Sequence, residues 1–194
     1  MTLQEYFKGI QSMSNETADD IVTFFKKEAI TKNQMLISEG KTSKKSYFLE
    51  KGIIRCFIID LNGDEVTTRF YSAPDFLNDY VSFFKQKPSE EYYEVLTDGI
   101  VWSINFENVQ HCFHTIPEFR EWGRMLLTLN YAILHQKMIS FHKNTAQERY
   151  LQLYNQYPEI IEKVPLQIIA SYLGITKFSL SRIRKEIENS SELS

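Results

Sequence analysis

The sequence has few of the residues that mark several large classes of protein. Its two cysteines, Cys56 and Cys112, are too few for a disulfide scaffold or a cysteine-rich cluster site, so we expect both thiols to be small buried groups. Seven glycines and five prolines argue against fibrous or low-complexity material. No apolar run approaches the roughly 18 to 20 residues that cross a membrane, and residues 1–20 lack the basic and apolar regions of a signal peptide. We therefore expect a cytoplasmic protein with no membrane partner.

Positive charge is also in short supply. The 22 basic residues are outnumbered by 25 acidic ones, which gives a formal net charge of -3. Nonspecific affinity for nucleic-acid phosphates rises with basic charge, so DNA binding by this chain requires a local basic patch. The chain of 194 residues is 43% apolar, which is enough for a core, and its length allows two compact units.

Residues 31–106 have the composition of an antiparallel β region. Short runs rich in Ile, Val, Phe, Tyr and Thr are separated by glycine, proline, Asn-Gly and Asp-Gly. The clearest hairpin joins Gly52–Asp60 to Glu65–Tyr71, and we expect Asn62 and Gly63 to supply the positive φ angles of its turn. Several short strands at this spacing predict a barrel or jelly roll.

Helical periodicity flanks the β region on both sides. We predict a short helix over Asn15–Glu28 that packs as a lid, a long helix from Pro117 to about His142, and a third helix over Thr145–Tyr157 that uses Leu151, Leu153 and Tyr154. The long helix carries two apolar stripes, Phe119, Trp122, Leu126, Leu129 and Ile133, and Leu127, Tyr131, Leu134, Met138 and Phe141. One stripe can cover the β region. The simplest partner for the other stripe is the same helix of a second chain, which predicts a parallel two-fold homodimer. The alternative is a helix buried in one large core.

Residues 166–185 have the spacing of a helix-turn-helix. Two helices that cross at roughly 90–120° over a short turn need a small side chain where they touch, and a residue that tolerates left-handed φ where the first one ends. Ala170 and Gly174 occupy these two positions. Thr176 is a suitable N-cap for a second helix over about 177–188.

The outer face of this second helix is the candidate DNA-binding surface. Leu180, Ile183 and Ile187 are predicted to point inward. Four cations against Glu186 over residues 177–187 form the local basic patch that DNA binding requires. Arg182 can donate to guanine, and Lys177 and the serine hydroxyls suit phosphate or a base edge. The candidate DNA-binding residues are Lys177, Phe178, Ser179, Ser181, Arg182 and Lys185. The alternative is a structural helical hairpin with a solvated polar face.

The order of elements and several short motifs resemble the Crp/Fnr superfamily of bacterial transcription regulators, in the branch common in Bacteroidetes. The resemblance is specific over residues 144–187 and mostly architectural over residues 1–143. The motifs that carry it are Ala146-Gln-Glu-Arg-Tyr, Tyr157-Pro-Glu-Ile-Ile, Val164-Pro-Leu, Ile169-Ala-Ser-Tyr-Leu-Gly-Ile-Thr and Leu180-Ser-Arg-Ile-Arg-Lys.

The resemblance implies an α+β protein of three parts. These are a jelly-roll-like, cyclic-nucleotide-binding-like β-roll sensor domain over 1–116, a long dimerisation helix over 117–142 and a helix-turn-helix domain over 143–194. It implies a homodimeric transcription regulator, not an enzyme, that binds an inverted-repeat operator in double-stranded DNA through the recognition helix 177–188. RNA polymerase is a further candidate partner. Because the sequence ends at Ser194, we expect no C-terminal β wing, and therefore modest DNA affinity with strong salt dependence.

The sequence departs from the nucleotide-binding members of the superfamily. Those members carry a Gly-Glu pair and an Arg-Ser/Thr-Ala run that hold the ribose and the cyclic phosphate, and neither is present here. Ser89, Glu90 and Glu91 stand where the phosphate anchor belongs, and carboxylates there repel phosphate, so we predict no response to cyclic AMP. The N-terminal cysteine quartet of iron–sulfur relatives is missing as well, and we expect no cofactor. The effector, if there is one, stays open; candidate ligand-binding residues are Arg69, Asn78, Tyr80 and Tyr92.

Two other functions remain open at this point. A cupin-like metal enzyme needs several histidines converging from strands, but residues 31–106 contain none. His111, Cys112 and His114 lack a fourth ligand, and we expect no metal. The second alternative is a β-roll ligand- or protein-interaction module without DNA binding, which would show no salt-dependent interaction with DNA.

Overall fold

The computed structural model describes residues 1–191, and within them it has the predicted α+β architecture. The helices are α1 Leu3–Ile10, α2 Asn15–Thr23, α3 Tyr80–Lys85, α4 Phe106–Thr115, α5 Pro117–Lys143, α6 Ala146–Gln156, α7 Pro158–Lys163, α8 Leu166–Leu173 and α9 Lys177–Ser191. The strands are β1 Lys26–Ile30, β2 Met35–Ile37, β3 Lys45–Lys51, β4 Ile53–Ile59, β5 Glu65–Ser72, β6 Asp75–Leu77, β7 Tyr92–Val95 and β8 Gly99–Asn105. No helix among the described residues is long and apolar enough to span a bilayer.

The strands form a β roll of two antiparallel four-stranded sheets. Their strand orders are β1-β8-β3-β6 and β2-β7-β4-β5. Side chains from both sheets meet in one apolar cluster inside the roll, which includes Leu49 and Val101 of the first sheet and Ile54 and Tyr71 of the second. Burial of this apolar area is the main force that holds the two sheets together.

The predicted hairpin is present as β4 and β5, with one change in its turn and one in its ladder. Gly63 has a φ of +86°, whereas Asn62 does not have the positive φ that its sequence predicts. The register shifts between the pairs Cys56–Arg69 and Phe57–Thr67. Thr68 is therefore the extra residue of a β-bulge, and its backbone groups lie outside the regular ladder.

The N-terminal region differs from the sequence prediction. Helix α2 ends at Thr23 instead of Glu28, because the following residues pair with β8 as strand β1, in register from Lys26–Ser103 to Ile30–Gly99. Tertiary pairing here overrides a helical pattern that is only weakly specified. Helix α1, for which no prediction is made, begins with a capping box at Thr2 and buries Leu3 and Phe7 against the roll.

The long helix α5 has its predicted position and extends one residue beyond it. Its first part is buried: Phe119, Trp122 and Leu126 join the aromatic cluster on the outer side of the first sheet. Its second part is not, since Leu129 and Ile133 are 50% and 48% exposed. The second predicted stripe lies at the surface of the single chain, with exposures from 44% to 71% at Leu127, Tyr131, Leu134, Met138 and Phe141.

The C-terminal helices form a second core. Helix α6 begins with a capping box at Thr145 and buries Leu153 as predicted, but the tyrosine that it buries is Tyr150, because Tyr154 is 50% exposed. This core also contains Ile53 and Phe70 of the roll, so the C-terminal helices pack directly on the second sheet.

Candidate functional site

The turn between α8 and α9 has the geometry that its sequence predicts. Helix α8 ends at Gly174 with a φ of +67°, and a side chain there would meet the ring of Phe141 at 3.2 Å. Ala170 is 1% exposed and lies in the same apolar cluster as Leu180 and Ile183 of α9. The small residue and the left-handed residue thus let the two helices approach and turn sharply.

Helix α9 is capped and oriented by its first residues. The Thr176 hydroxyl accepts a hydrogen bond from the amide of Ser179 at 3.1 Å, which is the predicted N-cap. Leu180 and Ile183 are 0% and 8% exposed and fix the inner face against the core. The opposite face is therefore presented to solvent.

The outer face brings most of the candidate DNA-binding residues together. Phe178 is 81% exposed, the Arg182 side chain is 71% exposed, and Lys177 and Lys185 are exposed as well. Arg182 Nε lies 3.6 Å from the Glu186 carboxylate, a solvent-exposed pair of small energetic weight that leaves the guanidinium accessible.

The two candidate serines are less available than the other candidate residues. Ser179 and Ser181 are half-buried, whereas the other candidate residues are exposed. The Ser179 hydroxyl also lies 2.9 Å from that of Thr176 within the cap. Ser179 thus contributes first to the start of the helix. Its hydroxyl would have to leave the cap to reach DNA.

Helix α8 is attached to the roll through strand β5, and we call this attachment the α8–β5 contact. The Ser171 hydroxyl accepts from the amide of Thr67 at 2.9 Å and donates to the carbonyl of Glu65 at 2.8 Å. The rings of Tyr172 and Phe70 lie 4.8 Å apart. The roll therefore determines how the helix-turn-helix is oriented in the single chain.

An open cleft of about 1340 Å³ lies between the roll, α5 and the C-terminal helices. Arg69, Asn78 and Tyr80, three of the candidate ligand-binding residues, line it. The structure places the fourth, Tyr92, outside it: the Tyr92 hydroxyl donates to Glu39 at 3.0 Å, and its ring stacks on Phe57 at 4.9 Å. Adjacent residues of a strand point to opposite faces, so Tyr93 lines the cleft instead.

Arg69 contacts several side chains of the cleft. Its guanidinium donates to the Asn130 side chain at 2.8 Å, and the amide of Asn130 donates to the Tyr80 hydroxyl at 3.3 Å. Arg69 also lies 4.4 Å from the centre of the Tyr71 ring and 3.8 Å from the carboxylate of Asp75. Burial raises the pKa of Asp75 to about 6, although the nearby Arg69 opposes this shift.

Sequence reasoning missed the polar residues that α5 contributes to the cleft, which include Asn130 and Lys137 as well as Gln136 and Ser140. Asn130 and Lys137 share a helix face with Phe119, Trp122 and Leu126: Asn130 follows Leu126 by four residues, and Lys137 follows Asn130 by seven, or two helical turns. Lys137 Nζ donates to the carbonyl of Thr68, which the β-bulge leaves outside the ladder. Polar residues that interrupt an apolar stripe are the signal that would have identified both.

The sequence comparisons agree with this arrangement. Residues 27–115 match the family described as "Cyclic nucleotide-binding domain". The "Fumarate and nitrate reduction regulatory protein" of Vibrio cholerae is 25% identical over 180 residues, which covers 87% of this chain and 71% of the relative. Its counterpart in Escherichia coli K12 is 25% identical over 179 residues with the same coverage.

Solved structures share the whole fold. The c-di-GMP responsive global regulator CLP of Xanthomonas campestris matches with a TM-score of 0.71 at 13% identity, over 92% of this chain and 93% of that one. A regulator of the Crp/Fnr family from Eubacterium rectale matches with a TM-score of 0.70 at 14% identity, over 92% of this chain and 85% of that one. Together, these matches support a Crp/Fnr family transcription regulator. Regulators of this family bind DNA and dimerise, and the two alternative functions are not favoured.

The segment that the resemblance aligns with a phosphate anchor carries carboxylates in this structure. Glu90 and Glu91 line the cleft, and the Glu91 carboxylate accepts from the Tyr93 hydroxyl at 3.0 Å. At the start of α3, the Asp79 carboxylate accepts from the amide of Ser82 at 2.9 Å. These acidic groups occupy the edge of the roll at which a cyclic phosphate would need positive charge.

The residues that the sequence offers as a weak metal triad have other surroundings. The ring of His111 lies 5.4 Å from that of Phe24, and Cys112 is buried, which raises the pKa of its thiol to about 11. Among residues 1–191, no three His, Cys, Asp or Glu side chains are grouped so that they could hold a metal ion.

Proposed function

We propose that this regulator recognises an inverted-repeat operator through the outer face of α9. Lys177, Phe178, Ser179, Ser181, Arg182 and Lys185 are the residues assigned to DNA contact. The observation that carries the proposal is the division of α9 into a buried apolar face and an exposed cationic face. A helix of this kind fits the major groove of B-DNA.

Each exposed residue of α9 has a role that its chemistry supports. The Arg182 guanidinium can donate two hydrogen bonds to guanine O6 and N7, which are worth about 1–3 kcal/mol of discrimination. Lys177, at the first turn of the helix, suits a phosphate, and Phe178 suits a thymine methyl group. Arg182 and Phe178 are therefore assigned to sequence recognition, and Lys177 to affinity.

A homodimer through α5 would bring two such helices to one side of the duplex. Five apolar side chains of the second stripe are at least 44% exposed in the single chain, and the same face of a second α5 would cover them. In a two-fold dimer of this type, the two recognition helices lie about 34 Å apart, one turn of B-DNA.

The three parts of the chain would then have separate tasks. Residues 1–116 are assigned to sensing, 117–142 to dimerisation and 143–194 to DNA binding; of the last range, residues 192–194 lie outside the described part of the chain. Arg69, Asn78 and Tyr80 support a sensor cavity, and Glu90 and Glu91 support the expectation that cyclic AMP does not fill it. We place the protein in the cytoplasm with the chromosome, and RNA polymerase stays a candidate partner.

The recognition role of Arg182 can be tested with one pair of variants. DNA fragments are first selected from a genomic library with the purified full chain, and binding is then measured by fluorescence anisotropy. Arg182→Ala is expected to weaken binding to the selected fragments about 5- to 150-fold, the equivalent of roughly 1–3 kcal/mol. Arg120→Ala removes the same charge from an exposed position at the start of α5 and is expected to leave binding unchanged.

Two outcomes would contradict the proposal. One is an Arg182→Ala variant that binds every selected fragment as tightly as the parent. The other is a parent protein with no salt-dependent DNA binding even at low ionic strength, which would favour an interaction module instead.

A further inference from the structure

Arg69 and Lys137 face the cleft from two different elements at its inner end. Arg69 belongs to β5, and Lys137 lies on α5 seven residues beyond Asn130, the residue that binds Arg69. Lys137 Nζ also lies 4.0 Å from the centre of the Tyr172 ring of α8. The two cations therefore lie where the roll, the long helix and the helix-turn-helix meet.

The positive charge at this junction is only partly balanced. Asp75 is the carboxylate beside Arg69, and the 3.8 Å between their charged atoms is longer than a hydrogen bond. Two other carboxylates of the cleft are engaged elsewhere: the buried Asp79 accepts from the amide of Ser82, and the half-buried Glu91 accepts from the Tyr93 hydroxyl. The carboxylate beside Arg69 is thus loosely held, and it is not among the groups that act on Lys137.

Hydrogen-bonding capacity is left over along the lining of the same cleft. Within residues 1–191, the Arg69 guanidinium uses one of its five N–H donors in a hydrogen bond, and the Lys137 ammonium uses one of three. The Asn78 side-chain oxygen is buried and has no partner among the described residues, and Asn78 is only 6% exposed. Buried polar groups are normally satisfied, so this set is incomplete without a further polar group.

The walls around these groups are aromatic. Tyr71, Tyr80, Tyr93 and Tyr172 line the cleft, and the first and last of them contact Arg69 and Lys137 through their ring faces. Such walls favour a planar or apolar body over a fully hydrated ion. A cleft with cations at one end and tyrosine rings along its sides suits an organic anion.

We propose that Arg69 and Lys137 bind the carboxylate or phosphate group of a small organic anion with an aromatic or apolar body. The anionic group lies between the two side chains, next to Tyr172, and the body lies along the tyrosine walls. The anionic group is held by Arg69 and Lys137, not by the Ser89-Glu90-Glu91 segment, which the resemblance aligns with the phosphate anchor of nucleotide-binding relatives. The inference rests on the sensor role proposed for the β roll, and it adds the charge and class of the ligand.

Ligand-observed ¹⁹F NMR on the full chain at pH 7 tests the site without DNA. The probes are 4-fluorobenzoate, 4-fluorophenyl phosphate and the neutral 4-fluorobenzyl alcohol. At least one anion is expected to bind at least tenfold more tightly than the alcohol, and the stronger of the two identifies the anionic group. Binding of neither anion, or equal binding of the alcohol, would overturn the proposal.

Three variants separate charge from shape. Lys137→Met keeps the length of the side chain and is expected to reduce anion affinity at least tenfold, whereas Lys137→Arg restores it. Lys143→Met removes an exposed charge from the last turn of the same helix and is expected to change nothing. Parent-like anion binding by Lys137→Met would refute the site. If Lys137→Met fails to fold, Lys137→Arg provides the test instead. The site is refuted if Lys137→Arg binds the anions more weakly than it binds the alcohol. The DNA-binding proposal is measured separately by Arg182→Ala, so either one can fail alone.

Discussion

Lys137 is held between groups that disfavour its charge. Burial and then the neighbouring Arg69 guanidinium lower the pKa of Lys137 to about 8. The groups that face it are Arg69 and Cys56 from the roll and Tyr172 from α8. Burial raises the pKa of the Cys56 thiol to about 12 and raises that of Tyr172 as well, so both stay neutral at moderately alkaline pH. Between pH 7 and 9, Lys137 is therefore the group of this set that changes charge.

This shift predicts a pH dependence of anion binding. Below a pH of about 8 Lys137 is cationic and attracts the anion, and above it the neutral amine does not. Affinity for the better fluorinated anion is therefore expected to fall as pH rises from 7 to 9, toward the affinity of Lys137→Met. ¹⁹F NMR titrations at three pH values measure it. The Lys137→Met profile is expected to be flat, and a parent profile that is equally flat would contradict the argument.

Strand β5 and helix α8 form the link between sensing and DNA binding. The Ser171 hydroxyl makes hydrogen bonds to two backbone groups of β5. The Tyr172 ring packs on Phe70 and lies beneath Lys137. Through this contact, apolar side chains of the roll pack directly on the core of the helix-turn-helix. Its strength therefore decides how independently the two parts of the chain behave.

Weakening the α8–β5 contact is expected to uncouple the two parts. Tyr172→Ala removes a half-buried ring and is expected to destabilise the helix-turn-helix by about 2 kcal/mol, so that urea unfolding splits into two transitions. Tyr154→Ala, at a tyrosine that is 50% exposed, is expected to change stability by no more than about 0.5 kcal/mol. Circular dichroism during urea titration measures both. Coincident unfolding curves for the two variants would argue against a coupling role.

At the scale of single elements, the sequence predicts those features that depend on local residue types. The β4–β5 hairpin, the long helix, the left-handed Gly174 and the Thr176 cap each follow from a residue type at a defined position. The bulge at Thr68 does not, because it depends on how two strands and α5 fit together. The same holds for β1, whose residues become a strand only by pairing with β8.

The candidate site divides in the same way. The exposed residues of α9 follow from helical periodicity, since one face must be buried. Arg69, Asn78 and Tyr80 share the cleft as expected, but Tyr92 points to the opposite face of its strand. Asn130 and Lys137 come from a helix that is remote in sequence, and only tertiary structure brings them to Arg69.

At the scale of the whole molecule, the second stripe on α5 stays 44% to 71% exposed in the part of the chain that the structure describes, although the Phe141 ring lies against Gly174. Its five side chains lie on one face of a single helix, in contrast to the scattered apolar residues that are normal on a surface. Dimerisation is a property of Crp/Fnr regulators, and this stripe is the surface that we assign to it.

A charge placed within the stripe is expected to prevent dimer formation. Leu134→Glu would bury two carboxylates close together in the dimer, which is expected to raise the dimer dissociation constant at least about a hundredfold. Leu61→Glu introduces the same charge at the fully exposed turn between β4 and β5 and is expected to leave the dimer intact. Light scattering coupled to size-exclusion chromatography measures both masses. If Leu134→Glu keeps the mass of the parent dimer, the stripe is not the interface.

The hydrogen bonds by which Ser171 and Lys137 hold β5 use main-chain atoms of the strand: the amide of Thr67 and the carbonyl oxygens of Glu65 and Thr68. Main-chain atoms persist whichever amino acid occupies a position, so mutation of the strand does not readily erase them. The inward side chains of the roll are thus able to diverge toward new ligands while the attachment of the DNA-binding part is inherited unchanged. A scaffold joined in this manner lends itself to exchange of its recognition chemistry, in natural lineages and in designed chimeras alike.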